Sequence, residues 1–260
     1  MQLIEMRDRM NFFANAWDSD LAWSFRQAPL VMVAALMTTV IVLAAVLAPL
    51  IAPHDPFNPA TLNLMDGFTP PMTPNAMSGQ VYLLGTDNQG RDILSTILYG
   101  ARISLFVGFS AVLFAMVLGI FVGLVSAWRG GWIDSTLMRV ADIQLSFPSI
   151  LIALLIFGVA RSLIPVAYRE QMAIWVLIVA IGLSDWVQFA RVVRGAALVE
   201  KSKEYVQAAQ AIGVRPSRIV LSHILPNVMG PVLVIATIGL ALAIIAEATL
   251  SFLGVGVPPT

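Results

Sequence analysis

The chain has 260 residues, 58% of them hydrophobic and 12% charged, with 15 basic and 15 acidic side chains and no cysteine. Soluble domains run at roughly 45–50% apolar and about 25% charged; a soluble fold of this length could not bury so much apolar surface, so an integral membrane protein is expected. Zero net charge and the lack of a basic patch with interleaved aromatics exclude a nucleic-acid binder, and the absence of cysteine excludes a disulfide framework or a thiolate metal site.

Residues 1–29 form the first segment. They carry Arg7 and Arg9 beside Glu5, Asp8, Asp18 and Asp20 and have no apolar core, so they read as a cytoplasmic tail rather than a cleaved signal peptide. An interfacial helix is expected at 10–25. A membrane helix takes about 20 mostly apolar residues, and five stretches qualify: 30–51, 103–127, 136–160, 172–189 and 228–253. With the N-terminus inside, the inner segments hold Arg7, Arg9, Arg26, Arg129, Arg139, Arg191, Arg194, Lys201, Lys203, Arg215 and Arg218. The outer segments hold only Arg91, Arg102, Arg161 and Arg169. This excess of inner cations orients the chain with a cytoplasmic N-terminus.

The outer segment 52–100 begins proline-rich (Pro53, Pro56, Pro59, Pro70, Pro71, Pro74), which predicts an irregular loop because proline removes donors and fixes φ. It ends differently. Leu84-Gly-Thr-Asp-Asn-Gln-Gly-Arg-Asp92 is turn-rich, and Ile93, Leu94, Ile97 and Leu98 follow at helical spacing, which suggests an interfacial helix on the outer face. A plain solvated connector is the alternative.

Segment 191–227 separates the last two stretches and carries six of the 15 basic residues. It reads as two short helices. The first runs from Glu204 to Ile212, and Gly213 suits the left-handed position that ends a helix. Pro216 suits the first turn of the second, where its missing donor costs nothing, and Pro226 is expected to break that helix where it meets the membrane. Ala208, Ala209 and Ala211 form a small-residue face that permits close approach of another protein, with Glu204, Lys201 and Lys203 as its polar rim. Alanine-rich helices also occur without a partner.

Charges inside spans cost on the order of 2.5–3.5 kcal/mol at the centre of the bilayer on insertion scales. Asp142 and Gln144 fall near the inner end of the third span, with Asp134 and Arg139 close enough to pair; a structural role is favoured. Asp185 lies within reach of Arg191 and Arg194, which suggests a salt-bridged junction. Glu247, deep in the fifth span, either lines a path or holds the helix by hydrogen bonding. Gly119-x-x-x-Gly123 has the form of a packing motif, and Trp128 and Trp132 read as interfacial anchors. Walker A, His-Glu-x-x-His and Gly-x-Ser-x-Gly patterns are absent. His54 and His223, the only histidines, fall on opposite sides of the membrane in this topology, so neither a metal site nor a resident cofactor is expected.

Gln207-Ala-Ala, three residues, Gly213, nine residues and then His223-Ile-Leu-Pro226 resembles the "EAA" loop of membrane permeases of binding-protein-dependent ABC importers. The family pattern is Glu-Ala-Ala, three residues, Gly, nine residues, Ile-x-Leu-Pro, so Gln207 stands for the Glu and His223 for the first Ile. Further segments resemble the dipeptide/oligopeptide/nickel branch: Leu84 to Asp92, Tyr99-Gly-Ala-Arg-Ile-Ser104, Asp142-Ile-Gln-Leu-Ser-Phe-Pro148, and Glu247-Ala-Thr-Leu-Ser-Phe-Leu-Gly-Val-Gly256. The long first outer loop is similar to that of the second, C-type permease.

The resemblance implies an all-α membrane protein with the type I ABC importer transmembrane fold, its transmembrane domain at 101–260. It implies a bacterial inner-membrane location, and as partners a homologous permease, two cytoplasmic ATPases, a periplasmic solute-binding protein and membrane lipid. ATP hydrolysis then belongs to other chains. Glu204, Tyr205, Gln207, Ala208, Ala209, Ala211, Gly213 and Val214 are the implied docking residues, shaped by Pro216, Pro226 and Asn227. Gln207 keeps hydrogen bonding but loses a charge, so docking should depend less on salt than with Glu. Members of this branch usually continue past Thr260 into a sixth membrane helix, so a truncated chain with five of six helices is expected. Two rival readings stay open: an ion-driven transporter relaying through Asp142, Asp185 and Glu247, and a non-transporting scaffold.

Overall fold

The computed structural model describes residues 20–58, 62–75 and 78–255. The helix expected at 10–25 is seen only in its last part, as α1 (Asp20–Gln27); its first half, and Gly256, lie outside the described residues. The chain divides into two compact units, one ending at Arg102 and the other starting at Ile103.

In the first unit, α2 (Pro29–Val46) starts with proline in its first turn and is apolar on every side. Thr38 and Thr39 donate their hydroxyls to the carbonyls four residues back, at 2.8 Å each, which satisfies them without water. A short helix, α3 (Ala48–Ile51), follows a break at Leu47. The connection after it is folded. Tyr82 is buried, its phenol 2.9 Å from Asp66 Oδ2, and Thr69 and Thr86 are buried beside it with hydrogen bonds to the Asp66 carbonyl. Asp87 Oδ1 accepts from the backbone of Gln89 (2.8 Å) and Arg91 (2.9 Å), closing the turn that the Gly-Thr-Asp-Asn-Gln-Gly run suggested.

Asp92 then accepts from the Ser95 amide at 2.9 Å and starts α4 (Ile93–Arg129). A helix of 37 residues is about 55 Å long, against roughly 30 Å of hydrocarbon. The helix expected on the outer face at Ile93–Leu98 is therefore not separate. No proline intervenes before Ile103 and the helix runs on through Gly100, so it forms the first turns of α4.

The second unit adds α5 (Gly131–Leu145), α6 (Ser149–Leu163), α7 (Arg169–Lys201), α8 (Glu204–Ala211), α9 (Pro216–Ile219) and α10 (Leu225–Phe252). The third expected span is broken: α5 and α6 meet at 96°. Pro148 has no amide to donate, and its ring pushes Phe147 away from helical geometry. Among the described residues four helices are long and apolar enough to cross a membrane, or five if this bent pair counts as one span. The last of these runs on from the preceding segment. Pro226 does not end a helix: a π turn at Val220–Ile224 joins α9 to α10, with the Leu225 amide bonded to the Val220 carbonyl, and Pro226 sits in the first turn of α10. The wider turn spares the proline the carbonyl clash of an α-helix interior.

α7 is the axis of the second unit and packs against α6, α10 and α4. Its approach to α4 is set by glycine. A Cβ on Gly119 would lie 2.4 Å from Phe189 Cβ and 2.7 Å from the Trp186 carbonyl, and one on Gly123 would lie 2.6 Å from the Ala190 carbonyl. Backbone faces backbone there, so any side chain forces the helices apart. Gly119→Ala should destabilise the purified protein by about 1–3 kcal/mol in detergent unfolding. Gly158→Ala, where a Cβ meets nothing within 4 Å, should be neutral or slightly stabilising.

Candidate functional site

α7 does not stop with its apolar stretch; it runs on through Arg191 and Arg194 to Lys201, and α8 begins three residues later. Lys203 is extended and starts α8, which ends at Gly213 with φ 80°. The Gly213 amide bonds the Gln210 carbonyl and the Val214 amide bonds the Ala209 carbonyl, both at 3.0 Å, the paired bonds of a Schellman motif. Only a residue without a Cβ takes this left-handed position at no cost. Arg215 then leads into Pro216 at the start of α9.

α8 has two faces. Val206 (0% exposed) and Ala209 (8%), three residues apart, join Ile219, Ile224 and Val228 in the core. Glu204, Gln207, Ala208 and Ala211 point outward, and Ile212 at the end of the helix is 81% exposed. The expected small-residue face is thus corrected. Ala209 lies on the inner side with Val206, because helical periodicity sets residues three apart on one face. Outward, two alanines share the surface with a carboxylate, an amide and a large aliphatic side chain.

A polar network ties this helix to its neighbours. Glu200, buried near the end of α7, accepts from Lys203 Nζ (2.6 Å) and from the Tyr205 hydroxyl. Asn227, in the first turn of α10, donates to the Tyr205 hydroxyl (3.2 Å) and the His223 carbonyl (2.6 Å), and the Tyr205 and His223 rings stack at 6.4 Å. The bond to Glu200 pushes both the Tyr205 phenol and the Lys203 ammonium above their ordinary pKa values. Gln207 donates its side-chain amide to the Ser202 carbonyl at 3.0 Å, a bond that an ionised Glu could not make. Glu200 was missed in the sequence. Its spacing of three to Lys203 was visible, but its bond to Tyr205 depends on how the chain turns at Ser202.

Lys201, expected on the polar rim, turns away from it. Its Nζ donates to the carbonyls of Ala127 (3.1 Å) and Trp128 (2.8 Å) and lies 5.3 Å from the Trp128 ring centroid. It thereby satisfies carbonyls at the end of α4 that have no helical partner. Arg194 grips Asp134 in two bonds, Nε to Oδ1 at 2.6 Å and Nη2 to Oδ2 at 2.7 Å, while Ser126 bonds the same carboxylate. Three helices, α4, α5 and α7, meet at Asp134. Arg191 pairs with Asp142.

Both arginines are therefore taken by α5, and the expected junction with Asp185 does not form; Asp185 has the neighbouring Ser184 hydroxyl at 3.4 Å. Gln144 holds α5 to α7 by donating to the Leu183 carbonyl (2.7 Å) and accepting from Trp186 Nε1 (2.9 Å). Glu247, 5% exposed, accepts from Ser104 (2.7 Å) and Ser251 (2.8 Å), which joins two of the motifs singled out in the sequence. Asp142, Asp185 and Glu247 each have different partners, and no hydrogen bond connects any two of them. Among the described residues no group of three His, Asp or Glu is placed to hold a metal ion.

Tyr205→Phe removes the link between Glu200 and Asn227 without changing shape. Amide hydrogen exchange across Val206–Ala211 should rise about fivefold, the size expected for one hydrogen bond, and unchanged exchange would show that the network does not hold α8. The link also has a pH limit. Because the phenol is held above its ordinary 10.0, its contribution is complete below that pH and is lost as pH rises through the raised value.

Residues 115–260 match the family described as binding-protein-dependent transport system inner membrane component, and residues 15–71 match the N-terminal TM domain of oligopeptide transport permease C. The chain is 36% identical over 239 residues to the oligopeptide transport system permease protein OppC of Bacillus subtilis, covering 92% of this chain and 72% of that protein. It is 35% identical over 237 residues to the dipeptide transport system permease protein DppC of Haemophilus influenzae, covering 91% and 76%. A putative peptide transport system permease protein of Brucella suis is 40% identical over 220 residues, covering 85% and 67%. With its mostly helical architecture and long apolar helices, the chain belongs to the family of binding-protein-dependent transport system inner membrane components, among the C-type permeases of peptide ABC transporters.

Proposed function

We propose that this permease forms, with a homologous partner, a translocation path for peptides or a related solute, and that its 191–227 loop couples the path to cytoplasmic ATPases supplied by other chains. One observation carries the reading. α8 presents a continuous outward face while its inner face is fixed to the unit's core and its start is bonded to α7 through Lys203 and Tyr205 and to α10 through Tyr205. A force on Glu204, Gln207, Ala208, Ala211 and Ile212 therefore reaches two long helices without passing through a flexible linker. The likeness to peptide permeases supports the solute class, and a periplasmic solute-binding protein would deliver it. Rigid-body rocking of the helices is the motion such a handle would drive.

The orientation that puts the loop in the cytoplasm rests on the excess of basic residues in its segments. Single cysteines at Ser78 and Ser217 should therefore react from opposite sides of the membrane, Ser78 from the periplasm; reaction of both from outside would overturn the topology.

Gly213→Glu strains the left-handed turn and adds a charge beside the outward face. ATPase co-purification should be lost while the permease still inserts. Retention of the ATPase at the wild-type level would sink the coupling role of the loop.

A further inference from the structure

At the inner end of α4 lies a groove that neither the coupling face nor the polar network uses. Its volume is about 610 Å³, and it runs between the last turns of α4 and the segment that begins at Arg215. Phe121, Leu124, Val125 and Leu221 form apolar walls, and Arg129 and Arg215 share the lining. Both arginines are exposed, and among the described residues no carboxylate pairs with either. This sets them apart from Arg191 and Arg194, which are held by Asp142 and Asp134.

Placement along the helix adds a second constraint. Arg129 is the final residue of α4 and Phe121 lies eight residues earlier, about 12 Å deeper at 1.5 Å per residue. Trp128, also in the lining, is the kind of side chain that marks the boundary between headgroups and hydrocarbon. The groove therefore offers cations at headgroup level and an apolar wall that descends into the acyl region. An apolar helix of another subunit seated there would strip water from two guanidiniums and return nothing. A phosphodiester returns charge-assisted hydrogen bonds to both, and its acyl chains match the walls.

We propose that this groove is a binding site for an anionic phospholipid, with the phosphate between Arg129 and Arg215 and an acyl chain along Phe121 and Val125. The leaflet, though not the chemistry, rests on the orientation proposed above, which makes it the cytoplasmic one. A lipid seated there would touch both α4 and the start of the coupling loop, so membrane composition would bear on the loop's position.

The test is native mass spectrometry of the full purified chain titrated with dioleoylphosphatidylglycerol or dioleoylphosphatidylcholine. Wild type should retain the anionic phosphatidylglycerol selectively. Arg129→Gln with Arg215→Gln should weaken that binding by about thirtyfold, and each single change by about fivefold. If the glutamine pair fails to fold, the Arg129→Lys/Arg215→Lys pair keeps the charge and loses the fork, and should bind several-fold more weakly than wild type. Equal retention of the two lipids by wild type, or wild-type affinity in whichever double variant folds, would overturn the proposal. Labelling of the Ser217 cysteine from outside would instead move the site to the other leaflet and leave lipid binding intact, so the two failures are told apart.

Discussion

The second unit depends on how closely the backbones of α4 and α7 approach at Gly119, Gly123 and Gly182. A Cβ at Gly119 or Gly123 would fall within 2.7 Å of a facing carbonyl, and one at Gly182 would lie 2.5 Å from the Phe114 ring and 3.0 Å from the Ala111 carbonyl. In a bilayer, apolar side chains gain little by leaving lipid for protein, so helix association rests on packing and on polar contacts. The glycines supply the packing. The polar contacts lie further along the same helices: Ser126 and Arg194 converge on Asp134, and Lys201 reaches the Ala127 and Trp128 carbonyls. The Arg194 and Lys201 bonds run from α7 to α5 and α4, and they need the spacing that the glycines fix.

This arrangement makes α7 the connection between the membrane core and the loop. The helix is about 50 Å long from its 33 residues. Its buried half packs against α6 and α10, and its last two turns are held by charge. α8 adds little stability by itself, since eight residues are too few for an independent helix. Its order comes from Val206 and Ala209 in the core, from Gly213 behind it and from Glu200 beside it.

Much of this was legible in the sequence, and the misses fall where averaging hid a local signal or where a distant partner decides. Apolar runs located the long helices, and Gly213 with Pro216 located the turn between α8 and α9, because those signals are local. Pro148 was equally local, yet the apolar residues on both sides of it read as one span when averaged. The bend appears only when the proline's lost donor is given priority over mean hydropathy. Glu200 and Lys201 could not be placed from pattern. Which of two adjacent charges turns toward the loop and which toward α4 depends on the end of a helix 73 residues away in sequence. Asp185 shows the converse: its distance from Arg191 along the chain permitted a pair, but Asp142 on another helix claimed the arginine.

The π turn at Val220–Ile224 has a geometric consequence for the last span. Its hydrogen bond spans five residues where the α-helix on either side spans four, which inserts one extra residue. Returning it to α geometry would rotate the Pro216–Ile219 end by about 100° against α10 and slide it by about 1.5 Å along the axis. The segment below is thus joined to the span above by a screw thread rather than a weld. A rotation of the loop would be taken up within these five residues, leaving the hydrogen-bonded ladder of the membrane portion intact.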